Sequence, residues 1–140
     1  MADLRLRQDS AYDGPVVSLE AFLGDSNAGA VRLLPGEDAR ALIGHLERIR
    51  LVEIAFPSYR DGRGYSAARI LREAGYKGEL RAEGDVLVDQ LAFMVRTGFD
   101  SFAPKAALDP EVVKRALERY KFVYQKAADG RAPVWALRHG

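Results

Sequence analysis

One turn holds most of the side chains in this sequence that could do chemistry. The turn consists of Ser58, Tyr59, Arg60, Asp61, Gly62, Arg63 and Gly64. Its arginines offer forked donors, its glycines let a ligand approach the backbone, and a helix beginning near Gly64 would present free N–H groups. These features would suit an oxyanion such as phosphate, sulfate, sulfite or a carboxylate.

A purely structural interpretation of the same turn is equally open. Asp61-Gly62 is a common turn dipeptide, and Arg60 or Arg63 could pair with acidic residues such as Asp85 to join two loops. The sequence alone does not separate ligand binding from structural ion pairing.

Catalysis has only weak candidates. Asp61 or Asp85 could transfer a proton with help from Tyr59 or Tyr65, but many proteins carry such groups without using them. A Ser-His-Asp arrangement is unsupported because neither His45 nor His139 lies near this turn. The catalytic residues are therefore unknown at this stage.

The composition limits the possible cofactors. The chain has no cysteine, which excludes disulfides, thiolate zinc sites and cysteine-ligated iron-sulfur clusters, and with two histidines we expect no metal site. Gly62-x-Gly64 lacks the third glycine of a dinucleotide fingerprint and the Gly-Lys-Ser/Thr of a P-loop. The cofactor, if there is one, stays unknown.

Length and charge indicate a single α/β domain over residues 1–140, with residues 1–28 the hardest to assign. Lysine and arginine total 21 against 20 for aspartate and glutamate, so nucleic acid is an unlikely partner on charge grounds. No segment has the pattern of a signal peptide or a membrane span. We expect a cytoplasmic protein without a membrane partner.

Strand and helix patterns alternate along the chain. Predicted strands cover 30–34, 51–56, 79–83 and 100–103, and a last strand-like piece covers 133–137 around Trp135. Predicted helices cover 39–49, 65–74, 85–95 with Asp85 as N-cap, and 110 towards 125 with Asp109 as N-cap. Short connections between such units favour right-handed crossovers and a mainly parallel sheet of four or more strands.

The strands alternate in polarity, which indicates helices on one face only. Val52, Ile54 and Phe56 form an apolar set, whereas Arg32, Glu53 and Arg81 belong to the opposite set. If their strands are neighbours, these three charges should pair as a ladder. The pattern predicts a half-barrel-like sheet or a two-layer sandwich. In either architecture, ligands collect at the carboxyl ends of the strands, where this turn lies.

A series of short sequence motifs, in this order along the chain, resembles one bacterial family of unknown function. They are Phe56-Pro57, Asp61-Gly62-Arg63-Gly64-Tyr65-Ser66, Ala68-Arg69-Ile70-Leu71-Arg72-Glu73, Gly75-Tyr76-Lys77-Gly78-Glu79-Leu80-Arg81-Ala82, Gly84-Asp85-Val86-Leu87, Asp89-Gln90-Leu91 and Gly98-Phe99-Asp100-Ser101-Phe102. Members of the family are labelled predicted oxidoreductases of assimilatory sulfite reduction. The resemblance nominates Asp61, Gly62, Arg63, Gly64, Tyr65, Ser66, Arg81, Gly84, Asp85, Asp89 and Gln90 as motif positions.

The resemblance implies a role in sulfur assimilation without a redox centre of the protein's own. Relatives commonly have Arg-Cys-Gly where this chain has Arg96-Thr97-Gly98, so a thiol-based role is not expected. The expected ligand-binding residues are Ser58, Tyr59, Arg60, Asp61, Gly62, Arg63, Gly64, Arg81 and Asp85.

Three hypotheses follow. The first is an accessory factor of assimilatory sulfite reduction that binds an oxyanion or sulfite reductase at the carboxyl edge of the sheet. The second is a small barrel-like enzyme acting on a phosphorylated or carboxylated metabolite. The third is a structural subunit that forms a homodimer through its charged sheet face.

Overall fold

A computed structural model describes residues 4–24 and 27–118, which form a six-stranded sheet with helices between the strands. The strands are β1 (Leu4–Arg5), β2 (Val16–Ser18), β3 (Ala30–Leu33), β4 (Leu51–Phe56), β5 (Glu79–Gly84) and β6 (Ser101–Pro104). Their order is β1-β6-β5-β4-β3-β2. Strands β2 to β6 run parallel, whereas β1 pairs antiparallel with β6. The prediction of a mainly parallel α/β sheet is confirmed, although the sheet is mixed.

Consecutive strands from β2 to β6 are neighbours, so the sheet grows in one direction. The helices are α1 (Leu19–Leu23), a 3₁₀ helix (Ala39–Arg48), α2 (Arg63–Glu73), a 3₁₀ turn (Val88–Gln90), α3 (Leu91–Thr97) and α4 (Pro110–Glu118). Right-handed crossovers that always step the same way place successive helices on one face. Accordingly, Leu42, Leu71 and Leu91 of three helices share one hydrophobic cluster with Val52 and Ile54 of β4.

The opposite side of the sheet, the charged face, carries Arg32, Glu53, Arg81 and Glu83. Arg32, Glu53 and Arg81 are in register across β3, β4 and β5. Glu53 accepts from Arg32 Nη1 at 2.5 Å through Oε1 and from Arg81 Nε at 2.8 Å through Oε2. Glu83 extends the ladder by accepting from Arg32 Nη2 at 2.7 Å. The predicted charge ladder is confirmed, with one more member than expected.

The helix after β3 differs from its prediction. The spacing predicts an α-helix with Ile43 on the buried side, but this segment is a 3₁₀ helix in which Ile43 is 44% exposed. A 3₁₀ helix has three residues per turn, so residues three apart stack in one row. Ala39 and Leu42 share such a row and are buried, while Leu46 is half-buried.

The two predicted helix caps have different outcomes. Asp109 is confirmed, because α4 begins at Pro110 and the Asp109 carboxylate accepts from the Glu111 N–H at 2.9 Å. The assignment of Asp85 as an N-cap is wrong, since the chain passes through the 3₁₀ turn Val88–Gln90 before α3 begins. A single carboxylate before an apolar run does not show whether it caps that run or bonds a neighbouring loop.

Arg72, near the end of α2, is bonded to main chain at the amino ends of the strands. Its Nε donates to the Gly98 carbonyl at 3.0 Å, and its Nη1 donates to the carbonyls of Tyr76 at 2.9 Å and Gly78 at 2.8 Å. Its Nη2 donates to Asp100 Oδ2 at 3.1 Å. One guanidinium therefore joins the segments that lead into β5 and β6.

Asp100 completes this group, which we call the amino-edge cluster (Arg7, Arg72 and Asp100). Arg7 Nη1 donates to Asp100 Oδ2 at 2.8 Å, and the Leu80 N–H donates to Oδ1 at 2.9 Å. Burial raises the pKa of Asp100, and the neighbouring Arg72 opposes that shift. Burial likewise lowers the pKa of Arg72. These charges are deep enough that their partners determine whether they are tolerated.

Residues 6–15 cross the amino ends of the strands, because β1 and β2 lie at opposite edges of the sheet. The Leu6 N–H donates to the Asp100 carbonyl at 2.8 Å. Farther along, Arg50 Nη2 donates to the Ser10 carbonyl at 3.4 Å, and the Tyr12 hydroxyl accepts from the Gly29 N–H at 3.1 Å. The segment therefore bonds to the starts of several strands in turn.

Some predicted features lie outside the described residues. They are the continuation of the fourth helix towards Gln125, the break at 128–130, and the last strand-like piece at 133–137.

Candidate functional site

The carboxyl edge of the sheet consists of the loops that follow β3, β4 and β5, at 34–38, 57–62 and 85–87. Most of the sequence-predicted site residues lie in the second of these loops, and Asp85 lies in the third. Because β3, β4 and β5 are adjacent and parallel, their three loops meet at the same edge.

Asp61 and Arg63 form a bidentate ion pair. Arg63 Nε donates to Oδ1 at 3.0 Å and Nη2 to Oδ2 at 2.7 Å, and the Arg63 N–H donates to Oδ1 at 3.0 Å. The Arg63 guanidinium lowers the pKa of Asp61 to about 2. Asp61 is therefore ionised at neutral pH and is a weak proton acceptor.

Asp85 and Gln90 hold the main chain of Tyr59. The Asp85 carboxylate accepts from the Tyr59 N–H at 2.8 Å, and Gln90 Nε2 donates to the Tyr59 carbonyl at 2.9 Å. The Asp85 N–H also donates to the Phe56 carbonyl at 2.7 Å. The loops after β4 and β5 are thus bonded to each other, through Asp85 and not through the arginine pairing that the sequence suggested.

Gly84 allows this junction. Its φ is +115°, and a Cβ at this position would lie 2.4 Å from the Phe56 carbonyl oxygen. A side chain is excluded on both conformational and steric grounds.

Gly64 brings α2 close to β4. A Cβ on Gly64 would lie 2.5 Å from Phe56 Cζ and 3.0 Å from Ile54 Cγ2, whereas one on Gly62 would meet nothing within 4 Å. Gly62 occupies the N-cap position of α2 and makes no side-chain cap bond. The close contact that requires glycine at position 64 is therefore with the core of the protein.

The remaining predicted site residues divide between two places. Arg60 Nε donates to the Tyr59 hydroxyl at 3.1 Å, and the Arg60 N–H donates to Ser58 Oγ at 3.3 Å, so these residues remain within the turn. Arg81 lies on the charged face and bonds to Glu53. The structure brings together the predicted residues from 58 to 64 and Asp85, but not Arg81.

A cleft of about 350 Å³ lies beside the turn, between the loop after β3 and the first residues of α2. Its lining includes Gly36, Arg40, Arg63, Gly64 and Ser66. Sequence reasoning identified Arg63 and Gly64 but not the loop after β3. In the sequence, Pro35-Gly36 of that loop indicates only where a strand ends.

Two exposed apolar side chains lie in the loops of this edge and a third lies on α3, and sequence reasoning missed all three. Tyr59, Leu87 and Phe93 are 40%, 38% and 45% exposed. The Phe93 ring lies 5.1 Å from that of Tyr65, between centroids. The apolar spacing after Asp85 predicts a continuous α-helix with Leu87 on its buried side, but Leu87 lies before the 3₁₀ turn and is exposed.

The described residues offer neither a metal-binding cluster nor a membrane-spanning helix. Within residues 4–24 and 27–118, no three His, Cys, Asp or Glu side chains are grouped so that they could hold a metal ion. In the same ranges, no helix has the length and apolar character needed to cross a membrane.

The chain was compared with protein-family models, with curated proteins and with solved structures. Residues 30–135 match a family model described as "Bacterial protein of unknown function (DUF934)". Neither the curated proteins nor the solved structures include a match. The matched range contains β3 to β6 and all three loops of the carboxyl edge.

Proposed function

We propose that this chain, which belongs to the DUF934 family of bacterial proteins, is a non-catalytic accessory protein of assimilatory sulfite reduction that binds sulfite reductase through its carboxyl edge. Tyr59, Leu87 and Phe93 form the proposed docking surface. Their exposure is the observation that carries the proposal.

Aromatic and aliphatic side chains of this kind are the usual anchors of protein interfaces. Tyr59 and Leu87 come from the loops after β4 and β5, Phe93 comes from α3, and each is more than a third exposed. Arg60 lies 5.5 Å from the Tyr59 ring centroid and adds a residue type that is enriched at energetic centres of interfaces.

The loops that carry this surface are already ordered. Asp85 and Gln90 fix the main chain of Tyr59 from both its N–H and its carbonyl side. A surface that is ordered before binding loses less conformational entropy when a partner arrives. This feature supports a docking role over a loop that must close around a substrate.

The link to sulfite reduction rests on the family resemblance and on one property of the sequence. The chain has no cysteine and so cannot ligate an iron-sulfur cluster through thiolates. A role in sulfite reduction would therefore require the redox centre of a partner, which makes the reductase the natural occupant of the docking surface.

The enzyme hypothesis is less well supported by the same geometry. Both carboxylates considered for proton transfer have partners: Asp61 bonds to Arg63, and Asp85 bonds to the Tyr59 N–H. With its pKa near 2, Asp61 would be an inefficient base at neutral pH.

The homodimer hypothesis concerns the charged face. There, Glu53 and Glu83 already bond to arginines of the same chain, so a second copy is not needed to neutralise them. Light scattering of the purified protein would test it directly, and a monomer mass would count against it.

The experiment is a binding titration of purified protein on immobilised sulfite reductase from the source bacterium, followed by biolayer interferometry. Phe93→Ala and Tyr59→Ala should each weaken binding roughly 10- to 30-fold, equivalent to about 1.4–2 kcal/mol for interface anchors. The matched control is Ile43→Ala, because Ile43 is 44% exposed but lies on the 3₁₀ helix, away from these loops.

Two results would contradict the proposal. One is the absence of saturable binding by the unaltered protein. The other is an equal loss of affinity in Ile43→Ala and Phe93→Ala, since a general loss of apolar surface would then explain both.

A further inference from the structure

The cleft beside the turn has an apolar floor. Leu33 and Ile54 reach it from the sheet, and Ala67 and Ile70 reach it from α2. Its volume of about 350 Å³ falls in the range of small-molecule sites, which are mostly apolar with a few placed polar groups.

The rim of the cleft carries two arginines whose donors are only partly used. Arg63 bonds to Asp61 through Nε and Nη2, while its Nη1 lies beside Gly36, 3.4 Å from where a Cβ of that glycine would be. Arg40 bonds to Asp38 through Nε at 3.0 Å. Each guanidinium thus keeps a further donor group available at the rim.

Acidic side chains also face the cleft, and their oxygens already accept bonds from the loop itself. Glu37 Oε1 accepts from the Leu34 N–H at 2.7 Å, and Asp38 Oδ1 accepts from the Arg40 N–H at 3.0 Å. These bonds shape the loop after β3. The ion pairs of Arg40 and Arg63 are at the surface, where such pairs contribute little, so either guanidinium can turn to a ligand at low cost.

We propose that this cleft binds a small organic anion, with its apolar body on the Leu33, Ile54, Ala67 and Ile70 floor and its oxyanion between Arg40 and Arg63. The combination of floor and rim distinguishes this ligand class from a free inorganic anion, which would gain nothing from the floor. The cleft is separate from the docking surface, so this inference goes beyond the proposed function and its failure would leave that proposal standing.

The test uses two fluorescent probes with the same aromatic rings. One is 8-anilinonaphthalene-1-sulfonate, which carries a sulfonate, and the other is N-phenyl-1-naphthylamine, which has no charge. The anionic probe should bind the unaltered protein at one site and at least about tenfold more tightly than the neutral one, as expected for an added charged hydrogen bond. In a ¹⁵N-labelled sample it should shift the amide resonances of Gly36, Gly64 and Ser66.

Substitutions of the two arginines test whether their charges contribute to binding of the anionic probe. Arg63→Gln and Arg40→Gln should each weaken the anionic probe about five- to tenfold and change the affinity for the neutral probe less than about twofold. Arg69→Gln is the matched control, because Arg69 is exposed on the same helix but does not line the cleft. Ala67→Phe should block both probes by filling the floor, and far-UV circular dichroism checks that each variant is folded.

The inference is overturned by any of three outcomes. The anionic probe fails to bind saturably, or it binds with the neutral probe's affinity, or Arg69→Gln weakens it as much as Arg63→Gln does.

Discussion

The two edges of the sheet use the same residue types in opposite ways. At the amino edge, the Arg72 guanidinium bonds to three carbonyls and the Asp100 carboxylate. At the carboxyl edge, the one described residue to which the Arg63 side chain bonds is Asp61, two positions away, and the Arg63 side chain is 63% exposed. An arginine-aspartate pair therefore holds distant segments together at one edge and stays local at the other.

This difference separates the motifs of the family resemblance into two groups with different roles. Gly75-Tyr76-Lys77-Gly78 and Gly98-Phe99-Asp100 supply carbonyls and a carboxylate to Arg72, so their place in the motif has a structural reason. Residues 61–64 bond mainly within their own turn, and Arg63 and Gly64 line the cleft. Of the two groups, the second is where the fold leaves room for a ligand.

The largest expected effect comes from making the same substitution at both edges. Arg72→Met leaves three carbonyls without this donor, and Asp100 keeps only the bonds from Arg7 and the Leu80 N–H. The substitution should lower the free energy of unfolding by about 3–5 kcal/mol. Arg63→Met breaks only an exposed pair and should lower the free energy of unfolding far less than Arg72→Met does. Urea unfolding followed by circular dichroism measures both.

The comparison fails if the two variants lose similar stability. Arg72→Lys serves as a further check, because it keeps a charge but not the fork and should recover only part of the loss.

A smaller effect is expected from the glycines of the turn. Gly64→Ala places a Cβ against the Phe56 ring and should cost about 1–3 kcal/mol through overpacking. Gly62→Ala, two positions earlier, meets open space at φ −88° and should be neutral or stabilise the fold by up to about 1 kcal/mol. Thermal unfolding of the two variants under identical conditions gives the comparison.

An equal cost for both glycine variants would show that the packing of α2 on β4 is not what requires Gly64. In that case a ligand or a backbone feature of the turn would have to supply the reason.

The smallest expected effect is on the pH dependence of folding stability, where the two substitutions below should act in opposite directions. The pKa of Asp61 is lowered to about 2, below its ordinary 3.8, so Asp61 contributes stability above pH 4 that is lost as the pH falls towards 2. The pKa of Asp100 is raised by burial, so its contribution is larger below pH 4 and decreases as the pH rises through the raised value. Replacing each with Asn should therefore change the slope of stability against pH in opposite directions.

Urea unfolding of Asp61→Asn, Asp100→Asn and the unaltered protein between pH 2 and 7 measures these slopes. Parallel curves for the two variants would contradict the assigned surroundings of at least one carboxylate.

The sheet was predictable because its signals are local and periodic. Alternation in β3, β4 and β5 placed Arg32, Glu53 and Arg81 on one face, and neighbouring register then made them pair. Asp109 before Pro110 is similarly a short-range signal. Such features depend on residues a few positions apart, which sequence patterns record well.

The features that the sequence patterns did not predict depend on contacts between distant segments. Asp85 bonds to Tyr59 instead of capping a helix, and the apolar stripe after it gave no sign of this. The antiparallel pairing of β1 and the cleft formed by the loop after β3 likewise arise only when separate elements meet. The turn itself could be identified as a candidate site, but not which of its charges would be used internally.

The position of β1 has a consequence for how the protein is made. Leu4 of β1 is synthesised before the other five strands of the described sheet, yet its partner Phe102 is synthesised long afterwards. Strands β3 to β6 can each pair with the preceding strand as the chain lengthens, because neighbours from β2 to β6 are also consecutive in sequence. The first strand must wait for the last, so the final step of sheet assembly closes the longest loop in the described fold and should be its slowest pairing.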